Sequence, residues 1–335
     1  MEEPPQQPPP DVAAAAKDLP LVLILEPLYP SFEEALSKRF RFLKPWESSS
    51  SSQRPLEAFL ADHADSIRVV LCAGPVKKID AEVISALPRL QLVLTPSVGM
   101  NHIDLAECRR KGIAVANAGT VFSVDTADYA VGFVLDVLRR VSAADRFVRG
   151  GLWPVEGEYP LGSKLSGKRV GIVGLGSIGS EIAKRLDAFG CIISYNSRTR
   201  KPSSPYSYFQ NICDLAADSD ILIIVCPLTD ETRHIVNRDV LLALGKKGVI
   251  INVGRGPLID EKELVRCLVE GEVGGAGLDV FENEPNVPQE LFLLDNVVLS
   301  PHKAVVTPES VQELLQLVIA NLEAFFSNQP LLTLV

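Results

Sequence analysis

Residues 168–190 read KRVGIVGLGSIGSEIAKRLDAFG, and their order decides how the chain folds. An apolar run, Val170–Val173, leads into Gly174, Gly176 and Gly179 in GxGxxG spacing. Apolar residues then recur at helical intervals through Ile178, Ile182, Ala183 and Leu186. A strand, a tight glycine turn and an amphipathic helix follow from that order. The glycine spacing alone is weak, and its position between strand and helix makes it specific. Gly174 permits the turn, Gly176 leaves room for a pyrophosphate, and Gly179 lets the helix pack against the strand. Amides at the helix N-terminus would face the anion. A dinucleotide is therefore expected on Gly174, Leu175, Gly176, Ser177, Ile178 and Gly179.

A version of this unit that binds NAD places Asp or Glu about 20 residues further on, to accept from the ribose 2′-hydroxyl. Here that count reaches Asn196, and CIISYNSRTRKPSS, residues 191–204, holds no carboxylate. Asn196 and Ser197 are candidate phosphate donors, and the planar guanidinium of Arg198 suits a phosphoryl group. Arg200 and Lys201 add positive charge to a chain of formal charge −9. A solvated loop would account for the basic residues but not for the missing acid. The expectation is NADPH/NADP+, with NADH weaker.

Working outward, short apolar strands alternate with amphipathic helices on both sides. Upstream lie LVLILE (21–26), RVVLCAG (68–74), LQLVLTPS (90–97) and GIAVAN (112–117). Downstream lie CIISY, DILIIVC (220–226), GVIINVG (248–254), GAGLDV (275–280) and NVVLS (296–300). Near-continuous apolar strands between helices mark parallel sheets covered on both faces. The fold class is α/β, with two doubly wound parallel-sheet domains, since 335 residues exceed one core. The expected division is a Pro-rich tail at 1–18, a discontinuous substrate or lid domain at 19–119 and 305–335, and a Rossmann cofactor domain inserted at 120–304. One long helical stretch is expected from about Ser123 to Arg149. It leads to Trp153 and offers a surface for a homodimer, and a terminal amphipathic helix is expected to return to the first domain.

The acidic balance argues against nucleic-acid and anionic-membrane partners. Six cysteines without CxxC spacing read as free thiols, and four histidines without a neighbour give no metal signature. No signal-like or membrane-length apolar segment is seen, so the cytoplasm is the expected location.

With SVGMNHID, VRGGLWP, GKRVGIVGLGSIG, CPLTDETRHIVN, INVGRGPLIDE, GAGLDVFENEP and SPHKA in this order, the chain resembles the D-isomer-specific 2-hydroxyacid dehydrogenases. Among them it is most similar to plant glyoxylate/hydroxypyruvate and hydroxyphenylpyruvate reductases. The resemblance implies reduction of a small 2-keto acid by hydride transfer, with Arg255, Glu284 and His302 as catalytic residues. Each follows an apolar strand, at the edge where such sheets bind ligands. A histidine suits the proton donor, a carboxylate suits its partner, and an arginine suits the substrate carboxylate and the developing oxyanion. Family register selects Glu284 over Glu282, which is expected to be solvated.

The resemblance further implies substrate contacts from the amides of Val76, Val98 and Gly99 and from Arg255. It implies cofactor contacts from Cys226, Pro227, Val253, Asp279 and His302, with Asp279 on the nicotinamide carboxamide. Trp153 matches a position that reaches the partner subunit in related reductases, or else anchors within its own chain. Two departures bear on substrate size. Lys303, Val305 and Val306 follow the histidine where small residues are common, and Pro75-Val76-Lys77-Lys78 replaces a small loop. Reductases of hydroxyphenylpyruvate or 2-ketogluconate, a phosphoglycerate dehydrogenase and a dinucleotide-sensing corepressor share the motifs and remain alternatives.

Overall fold

The computed structural model describes residues 19–47, 55–72 and 78–335. The chain divides into two compact units, one formed by Met1–Val121 with Val311–Val335 and the other by Phe122–Ser310. The first unit is thus discontinuous, and the second is inserted between its two segments.

The first unit holds a five-stranded parallel sheet in the order β2-β1-β3-β4-β5. Its strands are β1 (Leu21–Ile24), β2 (Arg41–Leu43), β3 (Val69–Leu71), β4 (Leu92–Leu94) and β5 (Ala114–Ala116). Between them run α1 (Pro30–Ser37), α2 (Leu56–His63), α3 (Ala81–Ala86) and α4 (Leu105–Lys111). Asp80 and Asp104 cap α3 and α4, accepting from the amides of Val83 and Glu107. At α1 the cap position falls to Tyr29, because Pro30 occupies the first turn, where its missing N–H costs nothing. β2 lies at the sheet edge and was not expected, since RFL is short and begins with an exposed arginine.

The second unit carries seven parallel strands in the order β12-β11-β10-β9-β6-β7-β8. They are β6 (Arg169–Val173), β7 (Ile192–Asn196), β8 (Ser207–Tyr208), β9 (Ile221–Ile224), β10 (Val249–Asn252), β11 (Gly275–Leu278) and β12 (Val297–Leu299). Ile221 and Ile223 of β9 pack into one apolar cluster, while Leu222 and Ile224 pack into another on the opposite face. All four are fully buried, at about 1.5–3 kcal/mol each. That two-sided burial is why these strands read as continuous apolar runs rather than alternating ones.

The helical stretch from Ser123 is two helices, not one: α5 (Ser123–Arg139) and α6 (Val141–Arg149). The break falls at Arg140, in the left-handed region at φ 58°. Asp136 stabilises the new start by accepting from the Ser142 amide at 2.7 Å. A short helix α7 (Trp153–Glu156) follows, with α8 (Ser177–Ala188), α9 (Ile212–Ala217), α10 (Arg238–Leu244), α11 (Glu261–Val269) and α12 (Pro308–Phe326) further on. All six cysteines are free thiols. Among the described residues, no helix is long and apolar enough to cross a membrane.

Candidate active site

The strand order of the second unit reverses between β6 and β9, and crevices at such switch points receive ligands at the carboxyl ends of the strands. The Gly174–Gly179 turn leaves β6 there, and Cys226-Pro227 follows β9. Gly174 has φ +106°, and a Cβ on it would lie 2.6 Å from the Cys226 amide nitrogen. Only glycine therefore allows the two segments to meet. Leu175 is buried and anchors the turn, whereas Gly176 and Ser177 are exposed and Ile178 is half-buried. No side chain caps α8, and the space a Cβ of Gly176 would fill is open. These features fit a pyrophosphate held by the first amides of α8. Burial pushes the Cys226 thiol up to about 11, so it remains protonated near neutrality. Val253, after β10, is buried with its amide bonded to Ile224.

At the end of β7, two of the expected phosphate donors are otherwise engaged. Asn196 Nδ2 donates to the carbonyls of Phe209 and Gln210, both at 3.0 Å. Ser197 Oγ donates to the Thr199 carbonyl at 2.7 Å. The chain doubles back here beside the sheet edge, and its carbonyls take these donors. Lys201's amide bonds the hydroxyl of Tyr195, a side chain only 1% exposed, and this fixes the loop. Arg198 and Arg200 project from it as exposed cations.

Arg255, Glu284 and His302 come together beyond β10, β11 and β12. His302 Nδ1 lies 2.8 Å from Glu284 Oε2. The other Glu284 oxygen accepts from the Phe281 amide at 3.0 Å. Partial burial pushes the Glu284 carboxyl up, but the His302 bond, the Phe281 N–H and the charge of Arg255 together bring it below its ordinary value. Burial lowers the Arg255 guanidinium, opposed by Glu284. One Arg255 nitrogen donates to the Gly254 carbonyl at 2.7 Å.

Glu282 is not merely solvated. Its carboxylate pairs with His234 Nε2 at 2.5 Å, and its amide donates to Glu261 Oε2 at 3.0 Å. These contacts of Glu282 tie the FENEP turn to α11 and to the segment before α10. Burial raises the Glu261 carboxyl, the Glu282 amide opposes this, and the charges of Glu282 and Glu284 add to the rise. His234 stands 48 residues from Glu282, so no local spacing signals the pair.

Asp279 is 1% exposed and organises the loop that carries His302. Its carboxylate accepts from the Lys303 amide at 2.7 Å, from the Ala304 amide at 3.0 Å and from the Ser300 hydroxyl. Its own carbonyl accepts from the His302 amide at 2.8 Å. A carboxylate offers about four acceptor positions, so three are already taken. Val305 is half-buried and Val306 is 43% exposed, so neither belongs to the core.

In the first unit, Val98 and Gly99 sit in the half-buried loop after β4. The carbonyls of Ser97, Val98 and Gly99 are each bonded, by the Ala118 amide, Asn117 Nδ2 and Ser97 Oγ respectively. Among the described residues, the amides of Val98 and Gly99 donate no hydrogen bond. Val76 lies outside the described residues. Trp153 is 62% exposed and thus is not an anchor within its own unit.

A family model described as "D-isomer specific 2-hydroxyacid dehydrogenase, NAD binding domain" matches residues 131–304. The chain is 58% identical to the glyoxylate/hydroxypyruvate reductase HPR3 of Arabidopsis thaliana, over 96% of this chain and 98% of that protein. It is 50% identical to the hydroxyphenylpyruvate reductase of Plectranthus scutellarioides, over 93% and 97%. The structure of an NADPH-dependent glyoxylate/hydroxypyruvate reductase from Sinorhizobium meliloti, in complex with NADP and malonate, is similar with a TM-score of 0.85 at 37% identity. It covers 94% of this chain and 96% of that one. With the glycine turn, the Glu284–His302 pair and matches over nearly its whole length, the chain belongs to the D-isomer specific 2-hydroxyacid dehydrogenase family, NAD(P)-dependent oxidoreductases that reduce small 2-keto acids.

Proposed function

We propose that the protein reduces glyoxylate and hydroxypyruvate to their 2-hydroxy acids, with NADPH preferred over NADH, as a homodimer. The observation that carries this reading is the Glu284–His302 pair at 2.8 Å, with the half-buried Arg255 close enough for its charge to act on Glu284. The nicotinamide, when bound, supplies the hydride to the keto carbon. His302 gives its proton to the keto oxygen as negative charge develops there. Glu284 orients the ring through its 2.8 Å contact with Nδ1. Arg255 engages the substrate carboxylate and stabilises the developing oxyanion. In the first unit, the amides of Val98 and Gly99, which donate no hydrogen bond among the described residues, are proposed donors to the substrate carboxylate.

NADPH is favoured by the missing acid near Asn196 and by the exposed cations Arg198 and Arg200. Glyoxylate and hydroxypyruvate are favoured by the 58% identical relative, which bears that activity in its name. Val305 and Val306 lie outside the core, and bulk added beside a bound substrate costs about 1–3 kcal/mol. The hydroxyphenylpyruvate reductase at 50% identity favours a second reading, in which an aromatic 2-keto acid is the better substrate. A homodimer is supported by the exposed apolar side chains of Val148, Leu152, Trp153, Val155 and Leu161.

The test is kcat/KM for glyoxylate, hydroxypyruvate, 4-hydroxyphenylpyruvate and 2-ketogluconate, each with NADPH and with NADH. The two small acids should rank first. A higher value for 4-hydroxyphenylpyruvate than for hydroxypyruvate would establish the second reading instead. Light scattering should give twice 36.4 kDa, and a single-chain mass at micromolar concentration would exclude the dimer.

A further inference from the structure

The Val98–Gly99 loop is set from outside itself. The N–H of each peptide points opposite to its C=O across one rigid plane. The Ser97 carbonyl shares its plane with the Val98 N–H, and it accepts from the Ala118 amide at 3.1 Å. The Val98 carbonyl shares its plane with the Gly99 N–H, and it accepts from Asn117 Nδ2 at 3.1 Å. Residues 117 and 118 therefore fix the direction of both amides that donate no bond of their own. Asn117 Oδ1 is itself occupied by the Gly119 amide at 2.9 Å.

Asn117 is held in turn by the last residues of the chain. Its amide donates to the Thr333 carbonyl at 3.3 Å, and Thr333 Oγ1 donates to its carbonyl at 2.7 Å. Thr333 Oγ1 accepts from Asn321 Nδ2 at 3.1 Å. Asn321, on α12, is 0% exposed and uses its remaining capacity on the Leu332 amide and the Leu317 carbonyl. Leu334 pairs antiparallel with Ala116, and the Val335 amide bonds the Val115 carbonyl, so this segment covers the outer edge of β5. A Cβ at Gly119 would lie 2.7 Å from Thr333 Cγ2. Glycine at 119 makes room for the strap.

An apolar segment would cover that edge as well, and burying Asn321 carries a desolvation cost unless every polar atom is paired. The polar chain Asn321–Thr333–Asn117 instead ends on the carbonyl that orients a donor amide. We propose that Asn117 is a positioning residue for the substrate carboxylate, and that the 332–335 segment, through Thr333, holds it in place. This rests on the proposed role of the Val98 and Gly99 amides.

The test compares Asn117→Ala, Thr333→Val and Thr333→Ser with wild type, using glyoxylate and the carboxylate-free methylglyoxal. Fluorescence titration with NADPH reports the other unit independently. Asn117→Ala should raise KM for glyoxylate about tenfold, with kcat within about twofold, the loss expected when an anion's hydrogen bond is misdirected. Its NADPH affinity and its KM for methylglyoxal should not change. Thr333→Val should move KM in the same direction, and Thr333→Ser should restore it. A wild type that discriminates against methylglyoxal, combined with unchanged glyoxylate KM in folded Asn117→Ala, overturns the positioning role alone. Wild type that uses both compounds equally removes the carboxylate loop and the proposal with it. Should Asn117→Ala fail to fold, Thr333→Val decides, and an unchanged KM there is equally fatal.

Discussion

Asp279 holds His302 in the left-handed backbone conformation, at φ 54°, through the bond from the His302 amide to its carbonyl and two further amides on its carboxylate. A non-glycine residue in that region costs about 1–3 kcal/mol and persists only where neighbours over-determine it. The side chain that the resemblance assigns to the cofactor thus also shapes the loop beneath the proposed proton donor.

Asp279→Ala leaves the Lys303 amide, the buried Ala304 amide and the Ser300 hydroxyl without an acceptor, at up to about 1–3 kcal/mol each. Stability in a urea titration should fall, by no more than that sum, and kcat should fall with it as His302 relaxes. Unchanged stability with an unchanged kcat would show that the loop keeps its shape without the carboxylate.

Glu284→Gln should lower kcat of reduction while leaving NADPH affinity near that of wild type. A neutral amide in place of the carboxylate weakens the 2.8 Å bond that orients the His302 ring. Partial burial pushes the native Glu284 carboxyl up, but the His302 bond, the Phe281 amide and Arg255 together bring it below its ordinary value. Its contribution to stability is therefore complete above that value and is lost as pH falls through the lower folded one. Melting curves of wild type and variant should converge as pH drops through and below the ordinary carboxylate range. An unchanged kcat would remove Glu284 from the positioning of His302 and turn attention to the Glu282–His234 pair.

Arg198→Ala should raise KM for NADPH about tenfold while leaving NADH nearly unaffected, the loss of a charge-assisted bond to phosphate. Because Asn196 Nδ2 and Ser197 Oγ are bonded internally, their alanine variants should act through loop order and affect both cofactors alike. Equal changes for the two cofactors in Arg198→Ala would assign that arginine to structure.

Much of this was legible because strands such as Ile221–Ile224 are apolar on both faces and helices such as α8 begin at a glycine turn with a physical reason to be there. What stayed hidden was non-local or unusual. The Glu282–His234 pair and the bond from Asn117 to Thr333 join residues 48 and 216 positions apart, and no periodicity records that. The kink at Arg140 escaped because arginine there takes a conformation that a sequence signals mainly through glycine or asparagine. The engagement of Asn196 depends on carbonyls of residues 209 and 210, which only the return to β8 brings near.

The most direct test of the central claim is single-turnover and steady-state kinetics of His302→Ala with glyoxylate and NADPH, beside a fluorescence titration of NADPH binding. The account predicts a kcat lower by roughly 10²–10⁴, the usual contribution of a general acid, with NADPH affinity near that of wild type. A folded variant that keeps more than about half of the wild-type kcat, outside that range, would contradict it.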